Sequence, residues 1–399
     1  MLDKNVSNEL KILALEMINN AGSGHSGSVL SCGDALYTLY TKHLLTDGTK
    51  NIHRDRFVLS NGHAVASLYS ICAGLGYINL EDIKTFRKYK GVLGGHPEIE
   101  VSCVDASTGP LGQGVANAVG MAMAEKINKT DSRVYCLCSD GDLMEGVAQE
   151  AIAFAGRYKL NNLILLWDDN GITIDGVAQT DIDVPARMES AGWRVLTVQG
   201  DDFVGLNRVL SMAQRSNKPT FIQCKTKIGA GSSVEGVAKA HGFALGDNEL
   251  MQLVQKFLSP VGENIWRNVE MEWPAVDMPS AEKFVLPHVS LPQVGEWIST
   301  RELSGVYLNE LFKVGAHIIG GSADLGRSTN AKVDSSREIV PDEFDGNYID
   351  YGVREFAMSA SSSVIACCLR LLYPSLSSSN NSCALSDAVC IATVLAANS

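Results

Sequence analysis

Two short runs of the sequence combine residue types that hold a hard cation and a diphosphate. Ser139-Asp140-Gly141-Asp142 follows the apolar run Arg133-Val-Tyr-Cys-Leu-Cys138, and Asn170 stands 30 residues beyond Asp140, after a second apolar run, Asn162-Leu-Ile-Leu-Leu-Trp167. If the runs are neighbouring parallel strands, their C-terminal ends set a carboxylate beside an amide oxygen, at the edge where open α/β sheets bind ligands. That pair suits Mg2+, which keeps coordination positions open for phosphate oxygens. Gly141 lets the backbone come close to an anion, and a helix beginning near Glu145 aims its N-terminus the same way. The same residues also read as an Asp-Gly turn and an unrelated Asp-Asp-Asn-Gly turn.

The histidines weigh against that blander reading. Of 8 in the chain, four stand in or beside glycine loops: His25 in Gly22-Ser-Gly-His-Ser-Gly27, His63 in Ser60-Asn-Gly-His63, His96 in Gly94-Gly-His-Pro-Glu98 and His241 in Ala240-His-Gly242. An imidazole on such a loop donates to a substrate oxygen or shuttles a proton near neutral pH. Any one of them alone also reads as a satisfied core or surface residue. No His-x3-His pair supports a histidine-only metal site. Ser107-Thr-Gly-Pro-Leu-Gly-Gln-Gly114 precedes an Ala/Gly-rich helical stretch from Val115 to Ala124, and its backbone could face a flat heterocycle.

These residues need a scaffold, and the patterning supplies an α/β one: a parallel sheet flanked by helices. Helical spacing runs over 8–20 and ends at Ala21-Gly22; another helix pattern runs over about 33–43 and a third over 145–158. Short strands are expected at 56–60, 133–138, 162–167, 194–198 and 219–224. Strand, helix, strand at this spacing is a βαβ unit. Five prolines between Pro260 and Pro292 mark a linker. A second, incomplete α/β segment begins near Trp297, with a helix at 301–313 and a strand at 317–319. The expected domains are therefore 1–256, a linker over 257–295, a second domain over 296–360, and a tail over 361–399. That tail has 10 serines, 4 cysteines, no glycine and two charged residues. It reads either as a serine-rich variable end or as a translated frame change after about Ala360.

Composition narrows the class. At 399 residues with 45% apolar and 20% charged residues, the chain has material for a sizeable core and is not a disordered polymer. A net charge of −12 argues against broad binding to nucleic acid or an anionic membrane, but not against a local phosphate site. No membrane span or export signal stands out. The 10 cysteines include no Cys-x-x-Cys pair, so a structural zinc is not expected, and the compartment reads as reducing and cytoplasmic. Cys136 and Cys138 are expected on one face of a strand.

The motifs in their order resemble those of the transketolases, thiamine-diphosphate enzymes, from about residue 5 to 360. They are Ser60-Asn-Gly-His63, Gly95-His-Pro-Glu98, Thr108-Gly-Pro-Leu-Gly-Gln-Gly114, Asp140-Gly-Asp-Leu-Met-Glu-Gly146, Asp168-Asp-Asn-Gly-Ile-Thr-Ile-Asp-Gly176, Gly320-Gly-Ser-Ala-Asp324 and Tyr351-Gly-Val-Arg-Glu-Phe356. The resemblance implies a diphosphate-binding domain followed by a pyrimidine-binding domain. It implies transfer of a two-carbon ketol unit between sugar phosphates in the pentose phosphate pathway, at a site shared by two subunits of a homodimer or completed by a partner chain. A synthase of the same cofactor class, using a sugar phosphate and pyruvate, fits the Gly352-Val-Arg-Glu-Phe356 stretch less well.

Carried over residue by residue, the resemblance makes Asp140 and Asn170 the metal-binding side chains, with the Ile172 carbonyl as third ligand, for Mg2+ or for Ca2+ or Mn2+ in its place. Gly141 and His63 fall to the diphosphate, Pro110, Leu111 and Gly112 to the rings of thiamine diphosphate, and Glu145 to the cofactor loop. His25, His96 and His241 face the sugar and the reacting carbon, with His25 and His241 also binding substrate. Arg301 and Ser328 hold the substrate phosphate. Glu355 is the catalytic glutamate, which favours the imino form of the pyrimidine amine. Ser139 stands where the family has glycine and Ser26 where it has proline. The aromatic residues, histidine, aspartate and arginine that follow the Glu355 motif in the family are not found in 361–399. The chain is thus expected to be C-terminally truncated, with a catalytically inactive remnant that binds only Mg2+ and the cofactor as the alternative.

Overall fold

Alternation along the strands decides how the sheet is buried. The structure, a computed structural model, describes residues 2–49, 54–180, 182–258, 297–313 and 318–368. Its chain runs through α1 (Leu2–Ala21), α2 (Ser26–Lys42), β1 (Arg56–Leu59), α3 (Val65–Gly74), α4 (Leu80–Ile83), α5 (Gln113–Ile127), β2 (Val134–Ser139), α6 (Asp140–Met144), α7 (Gly146–Arg157) and β3 (Leu163–Asp169). A small hairpin, β4 (Ile172–Thr173) and β5 (Gly176–Val177), leads to α8 (Val184–Ser190), β6 (Arg194–Gln199), α9 (Phe203–Ala213), β7 (Thr220–Lys225) and α10 (Asp247–Phe257). After the expected linker come α11 (Thr300–Lys313), β8 (Gly320–Ser322), β9 (Tyr348–Asp350) and α12 (Glu355–Cys368).

Five strands form one parallel sheet in the order β1-β2-β3-β7-β6. Successive side chains point to opposite faces. Val58, Val134, Cys136, Cys138, Leu163, Leu165, Trp167 and Phe221 therefore enter one apolar core, while Phe57, Leu59, Tyr135, Leu137, Ile164, Leu166, Ile222 and Cys224 enter the other. The first core is covered by α5 and α7, the second by α1, α2, α3 and α9. A sheet buried on both faces needs near-continuous apolar strands, which is what these runs are. Each fully buried Leu or Ile contributes about 1.5–3 kcal/mol. Cys136 and Cys138 share a face, as expected.

Buried polar ties hold the helical layer in register. Lys11 of α1 pairs with Asp34 of α2 at 2.8 Å, Ser7 donates to the same carboxylate at 2.6 Å, and the Phe257 ring of α10 lies 5.5 Å from the ammonium. Just before β1, the buried Arg54 guanidinium binds both carboxylate oxygens of Asp105, and Oδ2 also accepts the Phe57 amide at 2.9 Å.

The second segment docks on the first through α12. Gly120 of α5 faces Ser361 so closely that a Cβ there would lie 2.5 Å from the Ser361 carbonyl oxygen. Tyr351 stacks on Phe154 of α7 with ring centroids 5.0 Å apart, and Glu150 accepts the Ala357 amide at 2.9 Å. Ala323, Ile339, Ile349, Tyr351, Ala357, Met358 and Ile365 join the α5/α7 core.

Three boundaries differ from the sequence reading. The second helix starts at Ser26, inside the glycine-rich loop, because Gly27 serves close packing rather than a turn. The strand expected at 317–319 is Gly320–Ser322 instead, paired in parallel with β9; residue 317 lies outside the described residues. The last helix crosses Ala360 and continues to Cys368. Of the expected linker only residues 257 and 258, and of the tail only 361–368, fall within the described residues.

Candidate active site

Parallel pairing of β2 with β3, Ser139 opposite Asp168, brings the two key strand ends together. Asp140 opens α6 and its Oδ2 accepts the Gly171 amide at 3.1 Å. Asn170 Oδ1 accepts the Ile172 amide at 3.0 Å, and its Nδ2 donates to Asp168 at 3.1 Å. Each of these side-chain oxygens keeps acceptor capacity for a cation. Asp168, fully buried, also accepts from Ser31 (2.7 Å) and Thr226 (2.5 Å), so it is itself held by three donors and orients Asn170 through the one bond between them. Burial, then the charges of Asp168 and Asp169, push the Asp140 carboxyl up to about 7. None of these three carboxylates forms an ion pair among the described residues, and crowded carboxylates of that kind fit a divalent cation. Among the described residues no three His, Cys, Asp or Glu side chains are so set that together they could hold a metal ion. A set of one carboxylate, one amide and one backbone carbonyl does not require that they should.

Asp142 is the knot of this corner. Completely buried, it accepts the Ser60 hydroxyl (2.6 Å) from the end of β1, the Gly112 amide (2.7 Å) from the loop before α5, and the Ser139 amide (2.9 Å) and hydroxyl (3.0 Å). Three segments are thereby fixed on one carboxylate. Gly112, at φ +78°, adopts the left-handed conformation that starts α5, and a Cβ there would strike Glu145 at 2.6 Å. Leu111 lies against Gly141, where a Cβ would lie 2.9 Å from Leu111 Cδ1. Leu111, Gly112, Gly141, Glu145 and Asp140 thus form one contiguous surface.

Beside it, His25, His63 and His241 form a triangle, with ring centroids 5.0 Å (His25–His63), 5.0 Å (His63–His241) and 5.6 Å (His25–His241) apart. His96 is the fourth member, its ring 3.5 Å from where a Cβ on Gly109 would lie. Burial holds all four below the ordinary histidine value; for His25, at about 4, the charges of His241, Arg87 and His96 add to it. At neutral pH they are neutral imidazoles, each with one donor and one acceptor nitrogen. Nδ1 of His25 and of His241 is buried with no partner, as are both polar atoms of the Asn61 side chain. Unsatisfied buried polar atoms are rare and mark a place for a polar ligand.

Glu355 is the first residue of α12 and opens into a cavity of about 710 Å³ that it shares with Ser107, Thr108, Pro110, Gln113, Asn117 and Phe356. The glutamate and the Pro110 loop are therefore brought together. Arg301, exposed near the start of α11, and Ser328, whose hydroxyl donates to the Leu325 carbonyl at 3.0 Å, lie on neighbouring segments: Gly305 of α11 is packed against Asn330. Among the described residues neither makes a hydrogen bond or ion pair with the histidine cluster.

Comparison with known proteins identifies the family. Residues 2–269 match the model of the transketolase thiamine diphosphate-binding domain, and residues 296–376 that of the transketolase pyrimidine-binding domain. The chain belongs to the transketolase family. It is 35% identical to transketolase 1 of Saccharomyces cerevisiae over 90% of its own length and 61% of the relative's. To the transketolase of Aquifex aeolicus it is 36% identical, over 90% and 59%. Among solved structures it superposes on transketolase from Leishmania mexicana with a TM-score of 0.82, at 30% identity, over 92% of this chain and 62% of that one. The Pichia stipitis transketolase in complex with sedoheptulose 7-phosphate gives 0.81 at 31% identity, over 92% and 63%. The chain thus spans about three fifths of the length of the relatives it matches.

The two departures from the transketolase pattern have local explanations. Ser139 caps α6, sharing Asp142 through its amide and hydroxyl. Ser26 Oγ donates to the Phe243 carbonyl at 2.7 Å, tying the His25 loop to the His241 loop. Sequence reasoning did not single out Asp142, Asp168, Asn61 and Arg87, which the fold sets among the predicted site residues. Asp142 and Asp168 stood in the quoted motifs, and their adjacency to Asp140 and Asn170 was the available signal. Arg87 carried none.

Proposed function

We propose that the chain performs transketolase chemistry: transfer of a two-carbon ketol unit from a ketose phosphate to an aldose phosphate with thiamine diphosphate and Mg2+. The observation that carries this reading is the junction of Asp140 and Asn170 at adjacent strand ends, beside neutral imidazoles with unpartnered nitrogens. Asp140, Asn170 and the Ile172 carbonyl hold the cation. Gly141 and His63 bind the diphosphate, and Pro110, Leu111, Gly112 and Glu145 line the wall against the rings. Thiamine diphosphate, when bound, supplies the nucleophilic carbon and takes up the electron pair released as the C–C bond breaks. Glu355 holds a proton at the pyrimidine ring. His25, His96 and His241, neutral and desolvated, exchange protons with the sugar's carbonyl and hydroxyl oxygens. Arg301 and Ser328 meet the substrate phosphate.

A homodimer, or a partner chain that completes the pyrimidine side, belongs to the same proposal. Val353 and Phe356, 71% and 67% exposed beside Glu355, support it. Cytoplasmic residence is part of it too, supported by six free, buried cysteine thiols among the described residues. No helix among the described residues is long and apolar enough to cross a membrane.

Calorimetric titration of the chain with thiamine diphosphate in Mg2+ is expected to show binding that Asp140→Ala abolishes. Ketol transfer is expected to be weak until a partner chain is added. Unchanged binding heat in the variant would remove the metal assignment. Binding without turnover, with or without partner, would establish the second reading, a chain that holds the cofactor but does not react.

A further inference from the structure

Arg87 is used by none of the roles above, yet the fold builds toward it. Its backbone sits in the left-handed region at φ 55°, costly for a side chain of this size, and its amide donates to the Leu93 carbonyl at 2.9 Å. The guanidinium reaches back over the Gly94-Gly95-His96 loop, where Nη2 donates to the Gly95 carbonyl at 3.3 Å. A Cβ at Gly95 would lie 2.8 Å from Nε, so glycine there is the condition for this placement. The Phe86 ring lies 5.8 Å from the guanidinium carbon. Nε is buried and has no partner. A left-handed backbone and an unsatisfied buried donor in one arginine call for an explanation.

We propose that Arg87 is a positioning residue: its guanidinium, seated on the Gly95 carbonyl, sets a permanent cation against the His96 loop and, together with burial, opposes charging of the His96 and His25 rings, favouring the neutral, hydrogen-bonding form that proton exchange with a sugar requires. Guanidinium does not deprotonate in proteins, and a second positive charge beside it is disfavoured. Burial is the larger cause holding both rings low, and Arg87 acts in the same direction on each. The other groups facing His96 are Glu98, which pulls the other way, the rings of His25 and His63, and Tyr69, whose hydroxyl donates to the His96 carbonyl at 3.2 Å. His25 faces His241, His63 and His96. The proposal deepens the transketolase reading and rests on it for what the neutral rings are used for, not for their charge state.

The test is NMR titration of the histidine rings in the full chain, with His25 and His96 assigned through H25Q and H96Q. In R87Q both rings are expected to protonate at higher pH than in the unaltered chain, and in R87K to stay where they were. The acid limb of kcat/KM for ketol transfer is expected to move to higher pH in R87Q alone. Unmoved ring titrations in R87Q overturn the proposal, as does an equal shift in R87K, which would make shape rather than charge the cause. Should R87Q not fold, the unaltered chain decides: a His96 ring that protonates at or above about 6.5, the ordinary value, also overturns it. The expected ring shifts in a chain that transfers no ketol unit, with or without partner, uphold the role of Arg87 and sink the transketolase reading instead.

Discussion

Asp140 and the imidazoles titrate in opposite senses over the same pH range. The Asp140 carboxyl lies at about 7 in the fold, above its unfolded value of about 3.9, so its contribution is fully present below the unfolded value and lost as pH rises through about 7. His25 lies at about 4, below its unfolded value of about 6.5, so its contribution is present above 6.5 and lost as pH falls toward 4. Without a cation the two slopes partly cancel. Asp140→Asn removes one of them, and urea unfolding of that variant is expected to show stability declining below about pH 6.5 more steeply than in the unaltered chain. A cation on the carboxylate displaces its proton, so Mg2+ is expected to raise the Tm more at pH 8 than at pH 6, and to raise that of Asp140→Asn little at either. An equal rise at both pH values in the unaltered chain would put the ion elsewhere.

At the scale of elements, the site depends on how closely loops meet helices. Gly27, in the first turn of α2, packs against the loop that carries His241: a Cβ would fall 2.3 Å from the Ala240 carbonyl oxygen and 2.7 Å from Ile228 Cγ1. That approach, with the Ser26–Phe243 bond, brings His25 and His241 to 5.6 Å. Gly27→Ala forces the two apart and is expected to cost about 1–3 kcal/mol in urea unfolding, with a fall in kcat/KM. Gly146→Ala is the contrast: nothing lies within 4 Å of its added Cβ and its φ is not positive, so it is expected to be neutral or to gain about 0.4–1 kcal/mol. Similar losses in both variants would mean that glycine's backbone freedom, not the close approach, matters at position 27.

Across the whole molecule, the contact between α5 and α12 joins the corner that holds Asp140 to the segment that holds Glu355. Both lie against one apolar core, so the cavity of about 710 Å³ between the Pro110 loop and Glu355 depends on that packing. Gly120→Leu drives a side chain into the Ser361 backbone and is expected to loosen α12 while leaving the Asp140 corner intact. Limited proteolysis within 297–368 should then accelerate, with the Mg2+-dependent rise in Tm retained. Loss of that rise together with α12 would show that the two halves of the site fold as one unit.

The apolar runs of β1, β2, β3, β6 and β7, the glycine loops and the Asp140-to-Asn170 spacing were all legible in the sequence, because period-2 burial and strand-end chemistry are local properties of the chain. Ordered motifs also sufficed to suggest the family. The meeting of the two strand ends was expected from the motifs, but the register that sets Ser139 opposite Asp168 was not legible, since register is fixed by the packing of both sheet faces. Nor was the convergence of four loops on one group of imidazoles, nor the role of Asp142, whose four donors come from three separate segments. Arg87 was invisible for the same reason: nothing in Phe86-Arg-Lys-Tyr89 says that its cation will come to rest on Gly95. Local sequence chooses elements and candidate chemistry, whereas charge state and orientation arise only where burial brings groups from distant parts of the chain within a few ångströms of each other.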